Sequence, residues 1–145
     1  MTTNIINELL WRDAINHQTD EAGLRKYVST NNISLYCGVD PTGDSMHIGH
    51  LIPFMMLKRF QQFGHHPFIL ISGATGTIGD PSGRTSERQL QSMEQVQHNV
   101  DKLTAQMRKL FFDKNNEHEL TLVNNYDWTK DLSILDFLRD YGKKL

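Results

Sequence analysis

The apolar positions change their period along the chain, and the changes mark out its elements. Residues 4–16 carry Ile5, Ile6, Leu9, Leu10 and Ile15 at helical spacing, with Trp11 beside them as a packing residue. Asp20 is placed to cap a second short helix whose inner face would hold Leu24, Tyr27 and Val28. Neither helix carries a catalytic grouping, and both read as cover for one edge of a sheet. From Ile33 the period becomes two: Ile33, Leu35, Cys37 and Val39 alternate with Ser34, Tyr36, Gly38 and Asp40. Pro41 ends that strand, because it has no N–H to donate and fixes φ. A helix is expected over 48–63, carrying Leu51, Phe54, Met55, Leu57 and Phe60, with Gly64 as its terminating glycine and Pro53 early enough to be tolerated. His65 and His66 follow that stop as solvated loop residues. Residues 67–72 then hold the unbroken apolar run Phe68, Ile69, Leu70, Ile71, the pattern of a parallel strand buried on both faces.

The second half repeats the alternation. A long helix starts near Ser92, where Ser92 and Gln95 make a capping box. Its stripe of Val96, Val100, Leu103, Met107, Leu110 and Phe111 reads as core rather than as a cofactor box. A polar loop over 113–119 leads to a short strand over 120–123, closed by Asn124 and Asn125. Ser133 caps a last helix through Leu135, Phe137, Leu138 and Tyr141, ended by Gly142. Strand, helix, strand, helix, strand is an α/β order, so the expected fold is a Rossmann-like parallel sheet with flanking helices and a right-handed crossover.

Composition narrows the class without naming a function. At 145 residues the chain is one domain's worth, long enough to bury a core. A formal net charge of −2 excludes a protein that grips nucleic acid by bulk electrostatics alone. One cysteine allows no internal disulfide and fits a reducing compartment. No run approaches the roughly 20 apolar residues of a membrane span, and the first residues lack a signal-peptide pattern. The cytoplasm is the expected location.

Candidate chemistry gathers after the two first strands. His47 and His50 fall at or near a helix N-terminus, where unpaired N–H groups and the helix dipole attract anions. Three residues apart, they share a helix face and can both donate to a phosphate oxygen. Gly49 between them lets a flat ring approach the backbone, and Thr42 adds a hydroxyl on the same turn. A pair of surface imidazoles, or half of a metal site, are the competing readings; no metal site is expected, since further ligands are lacking. Gly73 to Gly83 holds four glycines at the carboxyl end of the second strand, the edge where open α/β sheets bind ligands. Its spacing fits neither the Walker nor the dinucleotide pattern. Taken with the histidines it reads as the second wall of a nucleotide site. Arg84 and Arg88 follow, as phosphate clamps or as a solvated charged turn.

These stretches resemble a known family. Leu35-Tyr36-Cys37-Gly38-Val39-Asp40-Pro41-Thr42, His47-Ile48-Gly49-His50, Gly73 through Gly83, and Asn124-Asn125-Tyr126-Asp127-Trp128 resemble, in order, the class I aminoacyl-tRNA synthetases with a HIGH signature, the bacterial tyrosyl enzymes in particular. The resemblance implies that Tyr36 meets the phenol of substrate tyrosine and Asp80 its ammonium, with Thr75 and Asn125 around that pocket. It implies Asp40 near both the amino acid and the adenylate, and Cys37 on the ribose. Thr42, His47 and His50 would contact the ATP phosphates or the sugar, with Gly38 and Gly49 lining the nucleotide. Arg84 and Arg88 would belong to the loop that wraps departing pyrophosphate, although the family often has lysine at the first position.

The reaction so implied is attack of the tyrosine carboxylate on the ATP α-phosphate, then passage of the acyl group to the 3′-terminal adenosine of tRNA(Tyr). No covalent nucleophile is required, magnesium would accompany ATP, and the family is a homodimer. The resemblance makes 1–145 the N-terminal part of the catalytic domain, with the later catalytic and anticodon-binding regions absent. The Lys-Met-Ser-Lys-Ser-like second signature is missing as well. A chain of this extent is expected to leave a strand edge and an apolar face open, and to be inactive alone. Two alternatives stay open: another nucleotidyltransferase of the same HIGH superfamily, and a non-catalytic nucleotide- or tyrosine-binding module.

Overall fold

A computed structural model describes residues 4–77, 91–111 and 120–142. Three strands, β1 (Ser34–Val39), β2 (His66–Ile71) and β3 (Thr121–Asn124), form one sheet in the order β1-β2-β3. Both pairings are parallel, with Tyr36 opposite Phe68, Gly38 opposite Leu70 and Leu70 opposite Val123. Helix α3 (Ile48–Gln62) connects β1 to β2, and α4 (Met93–Phe111) lies between β2 and β3 in sequence. The α/β parallel architecture expected from the alternation is the one observed.

One face of the sheet is the core. Val39, Ile69 and Ile71 meet Phe54 and Leu57 of α3 and Val96, Val100, Leu103, Met107 and Phe111 of α4. Burial along β2 alternates, with Pro67, Ile69 and Ile71 buried and Phe68 and Leu70 only half-buried. The continuous run is therefore not buried on both faces among the described residues. Continuity reports apolar character on each side, while coverage depends on which helices the chain supplies.

A second cluster joins α1 (Ile5–Trp11) and α2 (Glu21–Thr30) to Phe60 of α3, with Ile33 and Leu35 packed alongside. Asp20 accepts from the Gly23 N–H at 2.8 Å, the expected cap of α2. Helix α1 is shorter than the 4–16 pattern, because Asp13 takes φ 52 and the Ala14 N–H closes back onto the Leu9 carbonyl at 2.9 Å. Trp11 is exposed beneath the Arg12 guanidinium rather than packed, and Tyr27 is exposed rather than inward-facing. Gly64, with φ 86, follows α3 in the left-handed conformation that a helix-ending glycine adopts.

His65 differs most from expectation. It is 3% exposed, its Nδ1 accepts from the Ile33 N–H at 3.2 Å, and its ring is tilted against Phe60. His66 opens β2 rather than lying in a loop, its N–H donating to the Ile33 carbonyl at 2.9 Å. The start of β1 needs a partner there, and the imidazole supplies an acceptor that a solvated loop would not.

Ser92 accepts from the Gln95 N–H, so half of the expected capping box forms, while the Gln95 amide turns to Asn99. A short helix α5 (Tyr126–Thr129), absent from the pattern reading, follows β3. Helix α6 (Ile134–Asp140) is capped by Ser133 as expected, yet it buries none of its residues. Ile134 and Leu135 are each about three-quarters exposed. The polar loop expected over 113–119 lies outside the described residues.

Candidate active site

The carboxyl ends of the three strands bring the candidate residues to one edge. After β1 the chain turns through Pro41 and Thr42, whose N–H donates to the Asp40 carbonyl at 2.8 Å, and reaches α3 at His47. His47 is itself the N-cap, with Nδ1 accepting from the Gly49 N–H at 3.1 Å. His50 reaches back, its Nδ1 accepting from the His47 N–H at 3.4 Å. The two rings stack with centroids 3.8 Å apart.

This geometry fixes what each histidine can do. An imidazole nitrogen that accepts a hydrogen bond carries no proton, so both rings hold their proton on Nε2. Each therefore keeps Nδ1 on the backbone and offers Nε2–H as a donor. Burial, then the neighbouring His47, lowers the pKa of His50, which favours the neutral ring. The His47, Gly49 and His50 N–H groups are taken up within the turn, so the Ile48 N–H and the helix dipole supply the positive potential at the same place. Gly49 leaves room for the His47 ring: a Cβ there would lie 3.0 Å from Cε1 of His47, so the ring would have to shift by a few tenths of an ångström.

The second wall is built on backbone contacts. The Gly73 N–H donates to Asn124 Oδ1 at 3.1 Å, and the Ala74 N–H to Asn125 Oδ1 at 2.8 Å. Asn125 Nδ2 then donates to the Thr75 hydroxyl at 2.9 Å. Thr75 and Asn125 are thus joined, and the buried Asn125 amide holds the turn rather than standing open. A Cβ on Gly76 would lie 2.9 Å from Cδ of Pro41, so the glycine-rich turn touches the β1–α3 turn at that point.

Tyr36 and Cys37 point to opposite faces. Cys37 is half-buried against the α3–α4 core, and burial raises its thiol pKa, which disfavours the thiolate. Tyr36 is 72% exposed on the other face. Beside it runs an apolar trough of about 360 Å³ lined by Ser34, Leu35, Tyr36, Phe68, Leu70, Val123 and Trp128. Gly38, Asp40, Thr42 and His47 are exposed at the edge. Asp80, Arg84 and Arg88 lie outside the described residues. No group of three or more His, Cys, Asp or Glu able to hold a metal occurs among the described residues.

Sequence reasoning missed Asn99 and Gln106 of α4, which reach this edge. Asn99 Nδ2 donates to the Pro41 carbonyl at 2.9 Å. Gln106 accepts from the Met46 N–H at 3.1 Å and donates to the Asp44 carbonyl at 3.0 Å. One signal was available: Asn99 interrupts the core stripe between Val96 and Leu103, and a polar side chain there needs a partner.

A parallel sheet whose carboxyl edge gathers a His-x-Gly-His helix start and a glycine-rich turn has the α/β architecture of the HIGH-type domains. More closely, the chain belongs to the tRNA synthetases class I (W and Y), whose family description matches residues 28–145. It is 74% identical over 140 residues to a Bacillus cereus protein named tyrosine–tRNA ligase 2, covering 97% of this chain and 33% of that one. Tyrosine–tRNA ligase 1 of Enterococcus faecalis is 72% identical over the same shares. A C-terminally truncated Aspergillus nidulans mitochondrial tyrosyl-tRNA synthetase superposes with a TM-score of 0.79 at 29% identity, over 99% of this chain and 43% of that one. The chain spans about a third of the length of the curated relatives it matches.

Proposed function

We propose that this chain supplies the ATP-facing half of a tyrosine–tRNA ligase site, which activates tyrosine to tyrosyl-adenylate and passes it to tRNA(Tyr). The observation that carries the reading is the His47–His50 pair, with each Nδ1 on a backbone N–H. Two Nε2–H donors fixed before the substrate arrives suit the charge that builds on the phosphates as the tyrosine carboxylate attacks and pyrophosphate leaves. The Thr42 hydroxyl and the Ile48 N–H add donors at that edge, and Gly38, Gly49 and Cys37 give the nucleotide its remaining contacts. The trough beside Tyr36 receives the tyrosine side chain, with Asp40, Thr75 and Asn125 toward its amino end; the resemblance assigns Asp80, outside the described residues, to the ammonium. Arg84 and Arg88, outside the described residues, are assigned to the departing pyrophosphate by the resemblance alone. Magnesium enters as part of the nucleotide substrate.

In this reading residues 1–145 are the N-terminal part of a class I catalytic domain, in a cytoplasmic protein that works as a homodimer. The exposed Ile134, Leu135 and Leu138 of α6 favour association. No helix among the described residues is long and apolar enough to cross a membrane.

The test is tyrosine-dependent ATP–pyrophosphate exchange, measured on the 145-residue chain and on a full-length protein containing it. Exchange by the longer protein, lost without tyrosine, is the expected result, with little or none from the chain alone. Binding of ATP or tyrosine by the longer protein without exchange would select a non-catalytic binding module instead. Exchange supported by a different acid would select another HIGH-type nucleotidyltransferase.

A further inference from the structure

We propose that Asn99 and Gln106 of α4 are positioning residues for the His47–His50 pair, holding the backbone of the β1–α3 turn from two sides. The inference rests on the reading of that pair as nucleotide-facing groups. The turn from Asp40 to Met46 lies between the strand and the helix that carries the histidines. Its carbonyls and N–H groups must find partners or water. Gln106 uses both ends of its amide on one short stretch, accepting from Met46 N–H and donating to the Asp44 carbonyl. Met46 directly precedes the N-cap His47, so this fork sets the direction in which the chain enters α3.

Asn99 holds the other end and ties it to a second segment. Its Nδ2 donates to the Pro41 carbonyl at 2.9 Å and to Gln91 Oε1 at 3.3 Å, while its Oδ1 accepts from Gln95 Nε2 at 2.9 Å. Gln91 in turn donates from Nε2 to the Thr42 carbonyl at 3.1 Å. Asn99 is 1% exposed, so its amide is dehydrated and would be a net cost without these partners. An apolar residue would continue the stripe of α4 more favourably. A fully bonded buried amide instead specifies one arrangement of the groups around it. Asn99 and Gln106 are seven residues apart, two helical turns, and so reach from one face of one rigid helix to both ends of the turn.

The alternative is that these amides only stabilise α4, and the two roles separate in an NMR experiment on the 145-residue chain. The readout is the ring-proton shifts and titration midpoints of His47 and His50. In Gln106→Ala the ring stack loosens, its ring-current shifts collapse, and the His50 midpoint rises toward the ordinary histidine value of about 6.5. Gln106→Glu keeps an acceptor for Met46 N–H but loses the donor to Asp44, so it gives an intermediate change and serves if the alanine variant does not fold. Asn99→Asp, which loses the donor to Pro41, moves the same signals. Val100→Ala, a core truncation on the same helix that touches none of these bonds, lowers the melting temperature but leaves both rings unchanged. Unchanged histidine signals in folded Gln106→Ala or Gln106→Glu would overturn the proposal, as would an equal change in Val100→Ala. The nucleotide role is tested separately, by adenylate formation in a full-length protein carrying His47→Ala: an unchanged rate would count against that role while the ring signals still decide the positioning.

Discussion

The N–H of Gly73 and the side-chain oxygen of Asn124 lie 3.1 Å apart, 51 residues apart in sequence, and this bond joins the end of β2 to the end of β3. The same oxygen accepts from the Tyr126 N–H at 3.1 Å, so one amide fixes both the glycine-rich turn and the start of α5. A Cβ on Gly73 would lie 2.3 Å from that oxygen. The close approach, rather than any special φ, is what requires glycine here.

Gly73→Ala should therefore destabilise the chain by about 1–3 kcal/mol, the usual cost of forcing extra volume into a filled site. Asn124→Ala removes the obstructing atoms together with the bond. In that background the alanine at 73 should cost clearly less, and a double-mutant cycle by urea denaturation measures the difference. Additive losses would mean that the two residues do not meet in solution.

The histidine pair carries a pH prediction. The pKa of His50 is lowered, first by burial and then by His47. A base whose folded pKa lies below its unfolded value contributes stability that is fully present above the unfolded value and is lost as pH falls. The stability carried by His50 should thus fade on acidification through the histidine range, as the ring takes a proton and its Nδ1 releases the His47 N–H. His47→Ala removes the second cause, so the His50 midpoint should rise in an NMR titration, though not fully, because burial remains. A midpoint that falls or stays fixed would show that the rings do not interact.

The parts of this fold written in local pattern were legible. The period of two in 33–39 and the stripe of α4 each depend on neighbours within one element, and both elements formed where the pattern put them. What failed depends on partners far along the chain. The His65 Nδ1 accepts from the N–H of Ile33, 32 residues earlier, and no window around residue 65 contains that partner. Half-burial of Phe68 and Leu70 is decided by what covers the second face of the sheet. At the edge, motif spacing brought out His47, Gly49 and His50, because their geometry is local to one helix turn. Asn99 and Gln106 act on residues 58 to 62 positions away and stayed hidden, although Asn99 left a trace as a polar interruption of an apolar stripe.

Under the proposed role, the histidines should matter more to the rate than to binding. In a full-length protein carrying this segment, His47→Ala and His50→Ala should each slow adenylate formation by roughly ten- to a thousandfold, the range for removing one preorganised donor. Ground-state ATP affinity should change little, because the charge they meet develops as the pyrophosphate leaves. Single-turnover kinetics across ATP concentrations separates the two quantities. Weaker binding with unchanged chemistry would assign the rings to the ground state instead.

Tyr36 offers the sharpest test of substrate choice. A tyrosine kept for packing would be expected in the core, yet this one is 72% exposed on the face that α3 and α4 leave open. It lines the apolar trough with Phe68, Leu70, Val123 and Trp128. The trough's volume, about 360 Å³, falls at the lower end of the range for small-molecule sites. An apolar trough holds a phenyl ring as readily as a phenol, so discrimination must come from a polar group at its wall. Tyr36→Phe deletes one hydroxyl and leaves the ring and the trough in place. In a full-length protein it should reduce activation of tyrosine by the equivalent of one hydrogen bond, about 0.5–1.5 kcal/mol, or roughly two- to tenfold in kcat/KM. Activation of phenylalanine, which has no hydroxyl to lose a partner, should be unchanged or slightly improved. Pyrophosphate exchange with each amino acid gives the two ratios directly. Equal losses for both would reduce Tyr36 to a shape-filling residue and move the recognition of the phenol elsewhere in the protein.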